Sequence, residues 1–395
     1  MGVPARSVYL DHAATTAVHP KVVEAMLPYF SEKYGNPSSL YGLGREARKA
    51  IDESREKVAE ILGAKRDEVI FTGCGTESDN LAIRGVAFAN KSRGNHIITS
   101  SVEHHAVSHT MAQLNKYFGY EVTHLPVDRY GVVNPDDLAR AITDRTVLIT
   151  IIYANNEVGT IEPIAEMSKI ARARRIPFHT DSVQAAGSLD INVDHLGVDL
   201  LSLSAHKFYG PKGVGVLYAR KGSAFLPMQT GGSQERNRRA GTENVPYIVG
   251  LATALTLAYG HLEDNNRRIS QLRDRLIDGV LKIPYSQLTG HPTQRLPNSA
   301  SFTFQFIEGE SILLNLDLLG ISASSGSACT SASLEPSHVL VAMGIPVEIA
   351  HSSLRLTLGR ENTQEDVDYV LGVLPGIIEK LRAMSPLYNT RLAQA

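Results

Sequence analysis

A chain of 395 residues with 43% hydrophobic and 20% charged side chains has the composition of an ordinary globular protein, long enough for two hydrophobic cores and a buried site. A formal charge of −2 gives no electrostatic reason to bind nucleic acid or an anionic membrane, and two cysteines, Cys74 and Cys329, cannot make a disulfide framework. No run approaches the ~18 apolar residues of a bilayer span, and Met1-Gly2-Val3-Pro4-Ala5-Arg6-Ser7 is too short and polar for a signal region. The expectation is a cytoplasmic protein without membrane or nucleic-acid partners.

From about Val69 to Leu217, short β-rich runs alternate with helical patterns. Val69-Ile70-Phe71, His96-Ile97-Ile98-Thr99, Glu121-Val122-Thr123, Val147-Leu148-Ile149-Thr150, Ile176-Pro177-Phe178-His179 and Leu200-Leu201-Ser202-Leu203 read as strands. Asn134-Pro135-Asp136-Asp137 reads as a helix start, with an N-cap, a first-turn proline and two acids at the positive helix end. This alternation predicts an α/β fold, a mostly parallel sheet covered by helices with ligands beyond the carboxyl ends of its strands. After about Gly260 the texture changes. A helix with Ile269, Leu272, Leu276 and Val280 on one stripe leads to Ser301-Phe302-Thr303-Phe304-Gln305-Phe306 and Leu354-Arg355-Leu356-Thr357-Leu358, both alternating as strands buried on one side. A last helix opens at Thr363 with Val367, Val370, Leu371 and Leu374 on one face, completing a smaller α+β domain.

Lys207 follows the apolar run ending at Leu203 and precedes a turn containing Gly210, Pro211 and Gly213. A lysine delivered at a strand end can be desolvated, lose its proton near neutral pH and attack a carbonyl to form a Schiff base; alone, it reads equally as a surface lysine in a turn. Gly73-Cys74-Gly75-Thr76 lies between a strand and a helix, where glycines and free N–H groups suit an anion. It matches neither the P-loop nor the dinucleotide fingerprint, and a plain tight turn is the other reading. Asp181 stands just past a strand, either as an N-cap or as a buried carboxylate that needs a cation such as a protonated ring nitrogen. His104 is placed to stack on a flat ring or to cap a helix. His105 and His109 have the i, i+4 spacing of a metal pair without a third ligand nearby, so no metal site is assigned.

Six stretches in order then give the chain a family likeness: Tyr9-Leu10-Asp11-His12-Ala13-Ala14-Thr15-Thr16, Gly35-Asn36-Pro37-Ser38-Ser39, Thr76-Glu77-Ser78-Asp79-Asn80, Asn155-Asn156-Glu157-Val158-Gly159, Ser204-Ala205-His206-Lys207 and Arg239-Ala240-Gly241-Thr242-Glu243-Asn244. On these the chain resembles, nearly end to end, the cysteine desulfurases of the NifS/IscS type, pyridoxal 5'-phosphate enzymes of the class-V aminotransferase family and fold type I. The resemblance implies a large domain at residues 16–260 with a seven-stranded-type sheet, and a small domain from residues 1–15 and 261–395 carrying a mobile cysteine loop near 322–334. It implies that Lys207 binds the cofactor and moves protons at the substrate α-carbon. Asp181 would hold the ring nitrogen, Gln184 the ring hydroxyl and His104 the ring face. Gly75, Thr76, Ser204 and His206 would hold the phosphate, with Ala205 also at the cofactor and Thr242 of a second subunit reaching the phosphate in a homodimer. Asn155 would lie near cofactor and substrate, and Arg355 would grip the substrate carboxylate through its two-pronged guanidinium.

Ser324-Ser325-Gly326-Ser327-Ala328-Cys329-Thr330-Ser331-Ala332-Ser333 is small and polar throughout, the texture of a mobile loop with an exposed thiol. The resemblance is to the long-loop desulfurases, so Cys329 would take sulfur from L-cysteine as a persulfide and pass it to an iron–sulfur scaffold or another acceptor protein. Whether Cys329 also touches a cluster during handover stays open. Another aminotransferase or lyase of the same family, or a sulfur-relay scaffold without turnover, are the competing expectations. The chain departs from the family pattern at Gly73-Cys74-Gly75 and in the early end after Ser385-Pro386-Leu387-Tyr388. Arg236, Arg238 and Arg239 read as a solvated loop or as a docking surface for an acidic partner.

Overall fold

The computed structural model describes residues 6–326, 335–386 and 388–389. Its strands are β1 (Val8–Tyr9), β2 (Val69–Thr72), β3 (His96–Ser100), β4 (Glu121–Leu125), β5 (Thr146–Ile152) and β6 (Phe178–Asp181). They continue with β7 (Leu200–Ser204), β8 (Gly215–Ala219), β9 (Ser286–Leu288), β10 (Ser299–Phe304), β11 (Ile321–Ser322) and β12 (Ser353–Thr357).

Seven of them form one sheet in the order β2-β8-β7-β6-β5-β3-β4. All neighbours are parallel except β8, which runs antiparallel to both β2 and β7. Apart from the edge strand β4, every residue of these strands is buried, which is why they read as continuous apolar runs. Helices Gly42–Leu62 and Val245–Gly260 cover one face, burying Ile51, Val58, Leu251 and Leu255 with Phe71 and Ile149. Helices Gly75–Ala89 and His105–Phe118 cover the other, burying Ile83, Val86, Met111 and Leu114 with Ile97, Leu148 and Leu217.

The expected strand at Ile176 begins two residues later. Pro177 has no N–H for a ladder, and its carbonyl instead accepts from the Ile149 N–H at 3.0 Å. The shift makes Asp181 the last residue of β6. Strand β8 was not among the expected runs; the turn at Gly210–Gly213 sends the chain back beside β7 as an antiparallel neighbour.

A three-stranded antiparallel sheet, β12-β10-β9, carries a separate core of Leu276, Phe302, Leu354, Val370 and Leu374, with helices Leu262–Val280 and Gln364–Ala383. Val8 and Leu10 join it as β1 pairs with β11. Strands β10 and β12 are buried on both faces, not one. The side expected to meet solvent is covered by the N-terminal segment: Asp11 bridges to Thr357, and Arg355 donates to the Asn156 carbonyl and the Asp11 carboxylate. Among the described residues no single helix is long and apolar enough to cross a membrane.

One buried ion pair fixes the segment before Thr242. Arg55 donates two hydrogen bonds of 2.7 Å to Glu235, donates a third to the Val69 carbonyl and lies over the Phe71 ring, while Glu235 also accepts from the Phe71 N–H. Both side chains are almost wholly buried. The pair offsets the cost of left-handed backbone at Glu235, Arg236 and Asn237. Glu235→Ala leaves a buried guanidinium uncompensated and is expected to cost about 3–5 kcal/mol in urea denaturation. A loss below about 1 kcal/mol would show that the segment is held by other contacts.

Candidate active site

The carboxyl ends of β2, β5, β6 and β7 deliver their next residues to one cavity of about 370 Å³. Cys74, Gly75 and Thr76 follow β2, Asn156 and Glu157 follow β5, Val183 and Gln184 follow β6, and His206 and Lys207 follow β7. His104, beyond β3, and Arg355, on β12, complete opposite walls. This is where a doubly wound sheet exposes loop backbone and helix N-termini together.

Lys207 sits in a single 3₁₀ turn, and its Nζ donates to the carbonyls of Ala13 and Ala14. Asp181 is 4% exposed, and its Oδ1 accepts from the Val183 N–H at 2.9 Å. Burial pushes its pKa up to about 6, with the Lys207 ammonium and that hydrogen bond pulling the other way. The Gln184 amide donates to the Ala13 carbonyl at 2.9 Å. His104 caps helix His105–Phe118: its Nδ1 accepts from the Ala106 N–H at 3.1 Å, which leaves the ring proton on Nε2. Burial first, then Lys207, lowers its pKa to about 4, so a neutral imidazole lines the cavity. His206 is lowered to about 4 by the same two causes and contacts the Thr15 hydroxyl at 3.2 Å.

Gly75 opens helix Gly75–Ala89, whose first-turn N–H groups have no partner within the helix. A Cβ on Gly75 would come 2.7 Å from Val183 Cγ2, so only glycine brings the backbone this close to the β6 loop. Cys74 is the N-cap, its Sγ accepting from the Glu77 N–H at 3.4 Å. Arg239 pairs with Glu77 at 2.7 Å, while Arg236 and Arg238 donate to the carbonyls of Arg66 and Asp67. All three of these arginines are therefore bound to their own chain.

Not every expected residue reaches the cavity. Asn155 is 1% exposed and builds a turn, donating to the Val102 carbonyl and accepting from the Glu157 and Val158 N–H groups; its neighbour Asn156 lines the wall instead. Ala205 is fully buried behind it, accepting from the Phe208 and Gly210 N–H groups. Thr242 lies apart, beside Tyr29, Tyr34 and Asn36. Cys329 lies outside the described residues.

The structure adds a layer of buried carboxyls that sequence reasoning missed. Asp79 lines the cavity, is 1% exposed and has no partner for Oδ1; the nearest imidazole nitrogen, His179 Nε2, is 3.6 Å away. His179 is engaged by Ser202 at 2.9 Å and Thr150 at 2.8 Å, and burial lowers its pKa to about 3. Burial, reinforced by Asp181, drives Asp79 well above the usual carboxylate range. Glu103, also buried, is pushed up to about 8. Two neutral acids therefore stand behind one ionisable one. The Thr76–Asp79 spacing, three residues on a helix, was the available signal, since it places both on one face.

His338 brings a third imidazole to His105 and His109, with ring centroids 5.0 and 4.6 Å from His105. Among the described residues no group of three His, Cys, Asp or Glu has the arrangement of a metal site.

The donor set fits a phosphorylated pyridine aldehyde. The helix N-terminus suits a phosphate, Asp181 is a buried carboxylate suited to a protonated ring nitrogen, and the neutral His104 ring suits a flat face. Arg355 lines the same cavity with an unpartnered buried Nε, a donor suited to a carboxylate.

Residues 8–370 match the family model described as aminotransferase class-V. The chain is 60% identical over 382 residues to "Cysteine desulfurase IscS" of Methanosarcina thermophila, covering 97% of this chain and 94% of that one. A protein of the same name from Dictyoglomus turgidum is 58% identical over 382 residues, covering 96% and 97%. Among solved structures, a "NifS-like protein" superposes with a TM-score of 0.90 at 39% identity, covering 95% of this chain and all of that one. "SspA in complex with cysteine" superposes at 0.80 with 36% identity, covering 89% and 99%.

Glu103 offers a test of the buried-acid layer. In the fold it keeps its proton to about pH 8, whereas the unfolded chain releases it near the ordinary 4.5. Between those values the folded state binds more protons, so this group's contribution to stability falls as pH rises, by at most about 1.4 kcal/mol per unit. Glu103→Gln retains an acceptor for the Ser100 hydroxyl and the Ile152 N–H without the titration. Its thermal midpoint relative to the parent is expected to improve from pH 5 to about 8 and then level off. An advantage that does not grow across that window would mean that Glu103 is already ionised in the fold.

Proposed function

The chain belongs to the class-V aminotransferase family, and from that membership and the cavity's chemistry we propose that it is a pyridoxal 5'-phosphate-dependent L-cysteine desulfurase. The observation that carries the reading is the meeting of Lys207, Asp181, His104 and the Gly75–Thr76 helix start in one cavity that also contains Arg355. Bound there, the cofactor would supply an electron sink that weakens the substrate Cβ–S bond.

The chain's own residues would do the rest. Asp181, flanked by neutral Asp79 and Glu103, would hold the ring nitrogen as the local anion. Gln184 would take the ring hydroxyl, and Gly75, Thr76, Ser204 and His206 the phosphate. Arg355 would orient the substrate carboxylate through its unpartnered Nε, with the Asn156 carbonyl and the Asp11 carboxylate holding its two terminal nitrogens at 2.7 and 2.9 Å. Lys207 would carry the proton to and from the substrate α-carbon, and the Nε2 proton of His104 would lie over the ring. Asn155, through its turn, would position Asn156 and Glu157.

The Cys329 thiolate would attack the substrate sulfur. An S–S bond forms as the Cβ–S bond breaks, its electron pair passes to carbon, and the proton given up by Cys329 ends on the alanine methyl group. The products are L-alanine and a persulfide on Cys329, whose sulfur goes to an acceptor protein for iron–sulfur assembly or tRNA thiolation in the cytoplasm. The exposed apolar side chains Leu27, Phe30, Tyr34, Leu40 and Tyr41, of which Tyr34 lines one pocket with Tyr29 and Thr242, support a homodimer in which Thr242 serves the partner's phosphate site. The separate cores support the division into residues 16–260 and residues 1–15 with 261–395.

Brief exposure of the purified protein to L-cysteine is expected to release alanine and to add about 32 Da, one sulfur, to the Cys329 peptide in mass spectrometry. Cys329→Ala is expected to keep the cofactor's visible absorption and lose that mass gain and sulfur transfer to acceptors. Undiminished transfer by Cys329→Ala would overturn the assignment, and efficient multiple-turnover transamination with a keto acid would favour another family activity.

A further inference from the structure

Described residues flank the stretch that carries Cys329, and one carboxyl touches both flanks. Upstream, Ser324 bridges to Arg355 on β12: the Arg355 N–H donates to the Ser324 carbonyl at 2.6 Å, and the Ser324 N–H to the Arg355 carbonyl at 3.3 Å. Gly326 follows, and a Cβ on it would come 2.7 Å from Glu157 Oε2, so the backbone passes directly against that carboxyl. Downstream, the Ser337 hydroxyl donates to the same oxygen. Residues 326 and 337, with Cys329 between them in sequence, thus meet at Glu157.

Glu157 is itself well held. It is 5% exposed, and the Asn155 side chain fixes its N–H in the turn after β5. Ser337 is the N-cap of helix His338–Ala342, its oxygen receiving the Leu340 N–H at 3.2 Å while its proton goes to Glu157. Next to it, His338 Nε2 donates to the Glu103 carbonyl at 2.9 Å. The downstream flank is therefore tied to loops of the large sheet, and the upstream flank to the small one. Burial pushes the Glu157 pKa up to about 7, against the Ser337 hydroxyl and the Arg355 charge. Either protonation state leaves an oxygen to accept from Ser337.

Arg355 belongs to the same assembly. Its guanidinium donates to the carbonyl of Asn156, one residue before Glu157, and its backbone is bridged to Ser324. The group assigned to the substrate carboxylate and the two flanks of the Cys329 stretch therefore share one support, the turn after β5.

We propose that Glu157 is a positioning residue for the sulfur-transfer step. By holding Gly326 and Ser337 together, it sets the point from which the Cys329 thiol reaches a substrate whose carboxylate Arg355 has fixed. Ends already joined restrict the space the intervening residues explore, which raises the effective concentration of the thiol at the substrate sulfur. This role rests on the reading of Cys329 as sulfur acceptor.

The test follows the purified, cofactor-loaded protein after mixing with L-cysteine, read as the rate at which the Cys329 peptide gains about 32 Da. Glu157→Ala and Ser337→Ala are each expected to slow that gain at least about tenfold, and the double variant no further than the slower single one. Glu157→Gln, which keeps an oxygen for the Ser337 hydroxyl, is expected to stay within about threefold of the parent. Solvent exchange of the L-alanine α-proton, which uses Lys207 and Arg355 but no thiol, is expected to change less than about threefold in every variant. Amide hydrogen exchange over residues 338–342 is expected to quicken in Glu157→Ala and not in Glu157→Gln. Circular dichroism checks folding, and either alanine variant decides if the other does not fold. A parent that gains no sulfur on Cys329 overturns the acceptor reading, and this role with it. A parent that gains sulfur while the folded alanine variants gain it equally fast overturns the role of Glu157 alone. So does an equal loss of alanine exchange, which would make Glu157 a wall of the cavity only, or unchanged amide exchange over residues 338–342.

Discussion

A carboxylate in a dry place demands a positive partner, and Asp181 is such a group. It ends the central strand β6, is nearly inaccessible, and has one backbone N–H and a nearby lysine to support its charge. Around it the fold supplies neutral groups: Asp79 and Glu103 raised by burial, His104 and His179 lowered by it. The interior thus keeps Asp181 ionisable among neutral neighbours, where a protonated ring nitrogen would sit. Much of the surrounding architecture serves to keep water and competing charges away from that point.

The large sheet accomplishes this by delivering polar residues only at strand ends. Five parallel strands, each buried over its length, hold their loops in register on one side of the sheet. Antiparallel β8 lies between β2 and β7 and joins the strand before the Gly73–Gly75 turn to the strand before Lys207. The small sheet contributes Arg355 from the middle of β12, where both faces are covered, so its guanidinium is held by the Asn156 carbonyl and Asp11. Rigid elements therefore place groups drawn from residues more than three hundred positions apart.

How much of this can be read from the chain depends on whether the signal is local. Continuous apolar runs marked the buried strands, and the residue after each run identified Lys207, Asp181, Gly75 and Thr76 as strand-end groups. Pro177 displaced β6 by two residues for a reason visible in the sequence, its missing N–H. The second covered face of β10 and β12 was not visible, because the segment that covers it lies at the opposite end of the chain. Asp79 and Glu103 were passed over for a similar reason: a carboxyl's burial is decided by what packs on it, not by its neighbours in sequence. Asn155 and Asn156 are chemically identical, and only the turn geometry separates the buried amide from the one at the cavity wall.

The residues around Ala13 have a consequence of their own. Ala13 and Ala14 supply the carbonyls that receive Lys207 and Gln184, Asp11 steadies Arg355, and the Thr16 hydroxyl donates to the His206 carbonyl while receiving the Tyr209 N–H. This short strap, lying over the mouth of a sheet built from later residues, links the amine, the amide and the guanidinium. A protease cut just beyond it would take Val8 and Leu10 from the small core and loosen the amine and the guanidinium together, so a segment remote from both in sequence decides whether they meet.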